Sequence, residues 1–254
     1  MPSVYVYNGA TGAQVAAARG QVAIAVDALR ASGTITTLLA RGAGRVIVLA
    51  EPHEALAVRD ALVAEGEAVL LVGEKGGVKV QGFDRGNEPV VAPTELAWTC
   101  VFTSSNFAYC CLAAREAPAL LVGTTINAAA CARAALRLAV SLGADIALVM
   151  AGFSQDQTRL NLEDLLACGC LLDRLDLRAA NDAAKAALYV FGYLGVPGLA
   201  REFRATDHGA HLVSLAREDD ISFLSRPDQL ETVGARRAVL DLAGVPSVEL
   251  TVGE

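Results

Sequence analysis

Residues 22–34 read Val22-Ala23-Ile24-Ala25-Val26-Asp27-Ala28-Leu29-Arg30-Ala31-Ser32-Gly33-Thr34. Five uninterrupted apolar residues predict a strand buried on both faces, as in a parallel sheet. The run stops on Asp27, and a short helix is expected from Ile35 to Arg41. A carboxylate directly after a strand can ligate Mg2+ or orient a water. Arg30 can clamp a phosphate or sulfonate through paired N–H donors. Ser32, Gly33 and Thr34 open the helix, whose N-terminus favours anions. An N-capped turn with a surface ion pair accounts for the same residues equally well.

The same alternation continues outward. Strands are expected from Arg45 to Ala50, Ala68 to Val72, Thr99 to Thr103, Ala119 to Val122 and Asp145 to Met150. Helices are expected from Pro52 to Glu65, Asn106 to Glu116 and Asn127 to Leu142. That order predicts a three-layer α/β/α architecture around a largely parallel sheet. Beyond Gly152 the pattern turns helical, from Leu162 to Leu175, Asp182 to Gly195, Leu199 to Arg204 and His208 to Ala216. Late strands are expected from Ile221 to Leu224, Ala238 to Leu242 and Val248 to Val252. The reading is one compact unit over residues 1–254, with a smaller helical or α+β portion from about residue 153.

Composition narrows the function classes. The chain has 254 residues, of which 54% are hydrophobic, 19% charged and 5% aromatic, which excludes a disordered chain. Mean hydropathy is +0.42. No apolar run was expected to reach the ~18–20 residues of a membrane span. Net charge is −7, with no basic run, so nucleic-acid binding is disfavoured. The six cysteines form no Cys-x-x-Cys pair and lie in apolar runs, which points to reduced, buried thiols. Cys131 to Arg137 and Cys168 to Arg174 match a Cys-x5-Arg phosphatase spacing, but both fall in helical sequence rather than in a Gly-rich loop. No signal segment opens the chain, so a cytoplasmic location is expected. A homo-oligomer is allowed and not specified.

In open parallel sheets ligands bind beyond the carboxyl ends of the strands. There the sequence places Asp27, Arg30, Glu74, Lys75, Ser104, Ser105, Asn106, Thr124, Gly152, Ser154 and Gln155. Gly73-Glu74-Lys75-Gly76-Gly77 and Gly82-Phe83-Asp84-Arg85-Gly86-Asn87 read as one long irregular loop, or else as a β-hairpin with turn glycines. Asn161 is a plausible N-cap with Glu163 and Asp164 in the first helical turn, where acids are expected on dipole grounds; beside the Gly152-Phe153-Ser154-Gln155 loop, the two adjacent carboxylates equally suit completion of a metal site. His208 is either a general acid or substrate ligand, or a cap residue; His211 reads as its packing neighbour.

Taken together, several ordered motifs resemble the 2-phosphosulfolactate phosphatase family of coenzyme M biosynthesis. They are Val26 to Ser32, Gly73 to Gly77, Gly82 to Pro89, Thr103 to Asn106, Ala151-Gly152, Leu162 to Asp164 and the His208-Gly209 region. The resemblance implies a Mg2+-dependent phosphatase releasing phosphate from a 2-phospho-3-sulfolactate-like ester. Asp27, Glu74 and Asp164 become the expected metal or water-orienting groups. Arg30, Lys75 and Asn106 become anion binders, with Ser32 and Thr34 adding hydroxyl donors and His208 contacting substrate. Asp27 as an attacking nucleophile is the other mechanism left open. Ser32-Gly33 replaces the family's Thr-Thr, and Phe107 stands where the family has Gly. A phenylalanine there is expected to narrow the pocket, which favours as a second reading a non-catalytic binder of small organic phosphates or sulfonates.

Overall fold

In the computed structural model, residues 1–90, 98–153, 156 and 158–253 are described. Ser154 and Gln155, expected at a strand end, lie outside the described residues. The chain begins β1 (Val4–Asn8), α1 (Gly9–Ala18), β2 (Val22–Val26), α2 (Ala31–Ala40), β3 (Arg45–Val48), α3 (Pro52–Ala64), β4 (Val69–Lys75), β5 (Val78–Lys79). It continues β6 (Thr99–Thr103), α4 (Phe107–Ala113), β7 (Ala119–Val122), a 3-10 turn (Thr125–Asn127), α5 (Ala128–Leu142), β8 (Ile146–Met150). Last come α6 (Leu162–Leu175), α7 (Asp182–Ala205), α8 (Asp207–Ser214), α9 (Glu218–Leu224), β9 (Gly234–Leu242) and β10 (Val245–Val252).

The strands form one sheet in the order β1-β8-β2-β7-β9-β10-β3-β6-β4-β5. β1, β8, β2 and β7 make one parallel block, and β3, β6 and β4 a second. Between them sits the C-terminal hairpin β9–β10, antiparallel to β7 on one side and to β3 on the other. Its two-residue turn, Ala243-Gly244, has positive φ at both positions, the geometry that matches the twist of paired strands. The late strands therefore complete the centre of the sheet.

Side-chain size explains how the layers close. Along β2, Val22, Ile24 and Val26 alternate with Ala23 and Ala25, and all are buried. The larger residues pack beneath α5 to α9, against residues such as Leu166, Leu171 and Phe203. The alanines face a second cluster, built with α1, α2 and α4, that also takes Val46, Val48 and Phe102 from the other block. A third cluster sets Ala55, Val58 and Leu62 of α3 against Ile47, Leu71 and Val101. The three-layer α/β/α arrangement expected from the sequence is the arrangement observed.

Four elements differ from the sequence reading. Residues 221–224 are helical, as part of α9, where a strand was expected. Glu218, Asp219 and Asp220 fill its first turn and complement the helix dipole, while Ile221 and Leu224 are buried one turn apart. β1 and α1 went unread, because Gly9 and Gly12 look like helix breakers. A Cβ at Gly12 would lie 2.6 Å from Tyr7 Cβ, so the glycine is what lets α1 fold back onto β1. Finally, α7, at 24 residues, is long and apolar enough to cross a membrane by length and composition alone. Here it breaks at Gly195 and buries Ala184, Ala187, Phe191, Leu199 and Phe203 in the core.

Candidate active site

The carboxyl ends of strands from both blocks open onto one cavity of about 660 Å3. Asp27 and Arg30 enter it after β2, Glu51 after β3, Glu74 to Gly77 at the end of β4, and Ser104 to Asn106 after β6. Phe153 enters beyond β8, Asn87 from the loop beside β4, and His208 and His211 from α8.

The turn after β2 is braced by its own side chains. The Asp27 backbone N–H donates to Ser32 Oγ at 2.9 Å, and that hydroxyl donates to Ala25 O at 3.3 Å. Thr34 Oγ1 lies 3.3 Å from Arg30 O and 3.1 Å from Asn87 O. Ser32 and Thr34 do not line the cavity; the hydroxyls expected to meet substrate fix the main chain instead. A Cβ at Gly33 would lie 2.2 Å from Leu224 Cδ2, so α9 fills the space beside this turn.

The Asp27 carboxylate accepts the Ala31 backbone N–H and faces into the cavity. Burial first, and the charge of Glu74 second, push its pKa from 3.8 up to about 7. Arg30 is almost fully buried. Its Nη1 donates to Asp220 Oδ2 at 2.7 Å and its Nη2 to Gly77 O at 2.9 Å. Those bonds use two of the five guanidinium donors. The surface ion pair weighed from the sequence is in fact a buried one, with a partner 190 residues away.

Glu74 lies in the last pair of residues of β4, and Gly76-Gly77 turn the chain back into β5, both with positive φ. The hairpin reading of this stretch is the observed one. Glu74 Oε1 accepts the Ser105 N–H at 2.8 Å; Oε2 accepts the Gly77 N–H at 2.7 Å and the Ser105 hydroxyl at 3.2 Å. Lys75 lies at the exposed rim, its Nζ 3.9 Å from Glu51 Oε2. Tyr109 donates its hydroxyl to Glu51 Oε1, and that bond, with burial, pushes the phenol up to about 12. Asn106 lines the cavity at the start of α4.

Asp164 is placed differently. Its Oδ1 accepts the Ala28 N–H at 2.8 Å and its Oδ2 the Gly152 N–H at 3.2 Å. It therefore ties the end of β2 to the end of β8 and does not line the cavity. Burial, then the neighbouring Asp27 charge, raises its pKa well above the usual value. The structure does not bring Asp27, Glu74 and Asp164 together as one ligand set; among the described residues no three His, Cys, Asp or Glu side chains form one. What the cavity does offer a hard cation is the Asp27 and Glu74 carboxylates and Asn87 Oδ1. That last oxygen is buried, with no hydrogen-bond partner among the described residues. One or two carboxylates, an amide oxygen and water suit Mg2+.

His208 hydrogen-bonds the Leu29 backbone, and burial holds its pKa below the usual imidazole value. His211 Nε2 donates to Gly76 O at 3.0 Å, so it braces the hairpin rather than merely packing on His208. Phe107 points away from the cavity: it is fully buried in the core cluster between the two blocks. It does not narrow the site, which removes the feature that favoured a non-catalytic binder.

Sequence reasoning missed Glu51, Asn87, Tyr109 and Asp220. Glu51 directly follows an expected strand, and extending that rule to every strand would have found it, whereas Tyr109 lies inside an expected helix. Nothing local marks Asp220.

Carboxylates, a buried arginine and two histidines around one strand-end cavity define an α/β enzyme acting on a small polar molecule. A family model described as 2-phosphosulpholactate phosphatase matches residues 11–238. A probable 2-phosphosulfolactate phosphatase of Deinococcus radiodurans is 35% identical over 81% of this chain and 83% of its own length. Relatives of the same description from Gloeobacter violaceus and Thermotoga petrophila are 35% and 32% identical, each over 84% of this chain and over 86% and 88% of their own lengths. The chain belongs to the 2-phosphosulfolactate phosphatase family, and so to the phosphoric monoester hydrolases.

Proposed function

We propose that the cavity hydrolyses 2-phosphosulfolactate, or a small acid phosphate of the same kind, with Mg2+ as cofactor. The observation that carries this reading is a buried Asp27 facing Glu74 in one cavity with Arg30. The remaining Arg30 donors and the Asn106 amide hold the phosphoryl group, and Lys75 at the rim meets a second anionic substituent. Asp27, which faces the cavity, accepts a proton from the attacking water. Water oxygen bonds to phosphorus, the phosphorus–ester oxygen bond breaks, the departing alkoxide takes a proton from a cavity water beside His208, and Asp27 passes its proton to the hydroxide left behind. Mg2+, held by Asp27, Glu74 and Asn87 Oδ1, would supply polarisation of the phosphoryl oxygen. We place the enzyme in the cytoplasm, because its cysteines are free and buried. Neither nucleic acid nor membrane is proposed as a partner.

The test is phosphate release from 2-phosphosulfolactate and from phospholactate, with Mg2+ or with EDTA. Turnover is expected with Mg2+ only, and faster for the sulfonate ester. Stable binding of both esters without turnover over a panel of divalent metals would instead establish a binding protein.

A further inference from the structure

A second pocket, of about 240 Å3, adjoins the cavity, and Phe153 and His208 line both. Its walls are the start of α6, from Asn161 to Glu163, and the α7–α8 junction, from Ala205 to His208.

Asn161 stands at the N-cap of α6, where an Asn side chain ordinarily accepts a first-turn N–H. It makes no such bond. Asn181, at the N-cap of α7, does: its Oδ1 accepts the Ala184 N–H at 3.0 Å. Asn161 Oδ1 is instead buried without a hydrogen-bond partner among the described residues, in a side chain only 6% exposed. Beside it in the pocket wall lies Glu163, itself 4% exposed and hydrogen-bonded to the Thr206 side chain. Asp207 sits at the outer rim, where Arg159 Nη2 pairs with it at 2.8 Å. Arg159 pairs with Asp207 at the rim and also acts on Glu163, which lies deeper in the wall. His208 brings no opposing charge, since burial disfavours its cationic form.

Both groups are thus oxygen acceptors: a carboxyl whose charge burial disfavours until a cation lies beside it, and an unsatisfied amide oxygen. An unpaired buried acceptor is unfavourable, and a carboxylate beside it increases the cost. A hard cation satisfies both at once. The positive end of α6 opposes a cation, and Glu163 and Asp164 in that first turn offset it.

We propose that this pocket is a second cation site, for a hard divalent ion, ligated by the Glu163 carboxylate and Asn161 Oδ1. Water completes the shell and reaches Asp207. The pocket has room for several waters, at ~30 Å3 each. Occupancy ties the first turn of α6 to the junction that carries His208 into the cavity, which makes the ion a positioning element for the active-site wall. The site stands whether or not Asp27 and Glu74 hold an ion of their own.

Mn2+ is the probe, with bound ions counted by electron paramagnetic resonance on the full chain. Glu163→Gln and Asn161→Leu are each expected to bind one Mn2+ fewer than the wild type, whereas Asp27→Asn retains this ion. Asn161→Asp, which adds a charge, is expected to tighten it about tenfold. Unchanged stoichiometry and affinity in both Glu163→Gln and Asn161→Leu would overturn the proposal and leave a pocket filled by water alone. Should those two variants fail to fold, unchanged Mn2+ affinity in Asn161→Asp overturns it instead. Loss of an ion in Asp27→Asn reports only on the first site.

Discussion

Two turns feed the cavity, and they hold their carboxylates in opposite ways. After β2 the turn is sealed by its own hydroxyls, and the Asp27 carboxylate receives a single backbone N–H. After β4 the hairpin surrounds Glu74 with three donors, from Gly77 and Ser105. The first arrangement leaves a buried acid poorly satisfied, with a value raised to about 7. The second fixes the Glu74 side chain in place. Asp27 is therefore the group whose proton affinity burial raises most directly at the cavity wall. Arg30 joins the two turns, since it sits in the first and donates to Gly77 of the second.

The largest expected effect comes from removing the carboxylate that neutralises Arg30 at that joint. Asp220→Ala leaves the Arg30 cation buried with the Gly77 carbonyl as its remaining hydrogen-bond partner among the described residues, which should cost about 3–5 kcal/mol in urea denaturation. A double variant, Arg30→Met with Asp220→Leu, should recover most of that stability while phosphate release stays lost. A double variant as unstable as the single one would mean that an unpaired buried charge is not what destabilises the single variant.

A smaller effect separates the two carboxylates by pH. The folded-state value of Asp27 lies above its unfolded value of 3.8, so the folded protein binds this proton more tightly. The stability it contributes is full below 3.8 and is lost as pH rises to about 7. A shift of that size corresponds to about 4 kcal/mol. Glu163 and Asp164, also raised by burial, act in the same direction. Melting temperature measured from pH 4 to pH 8 without divalent metal should therefore fall less steeply in Asp27→Asn than in the wild type. Glu74→Gln should lie between them, because it removes the neighbouring charge but not the burial. Equal slopes in all three would erase the distinction between the turns.

Much of this arrangement was legible in the sequence, for a local reason. Apolar runs such as Val22–Val26 and Thr99–Thr103 mark strands, and whatever polar residue follows them must lie at a carboxyl end. That rule reached Asp27, Arg30, Glu74 and Asn106, all of which line the cavity. It failed where side-chain direction decides the role. Ser32 and Phe107 lie in the right segments, but one hydroxyl bonds backbone and one ring enters the core. Asp164 looks like a helix-cap acid, yet its oxygens take N–H groups from two other strand ends. Asp220 was out of reach, because only the packing of α9 across 190 residues brings it to Arg30.

The central claim is that Asp27 is the group that moves the proton in phosphoester hydrolysis. The most direct measurement is phosphate release from 2-phosphosulfolactate by folded Asp27→Asn at saturating substrate and Mg2+, compared with the wild type. A loss of about 10³-fold or more in kcat is expected, with the Asn106 and Arg30 side of the cavity still binding the ester. Turnover within a few-fold of the wild type would contradict the account.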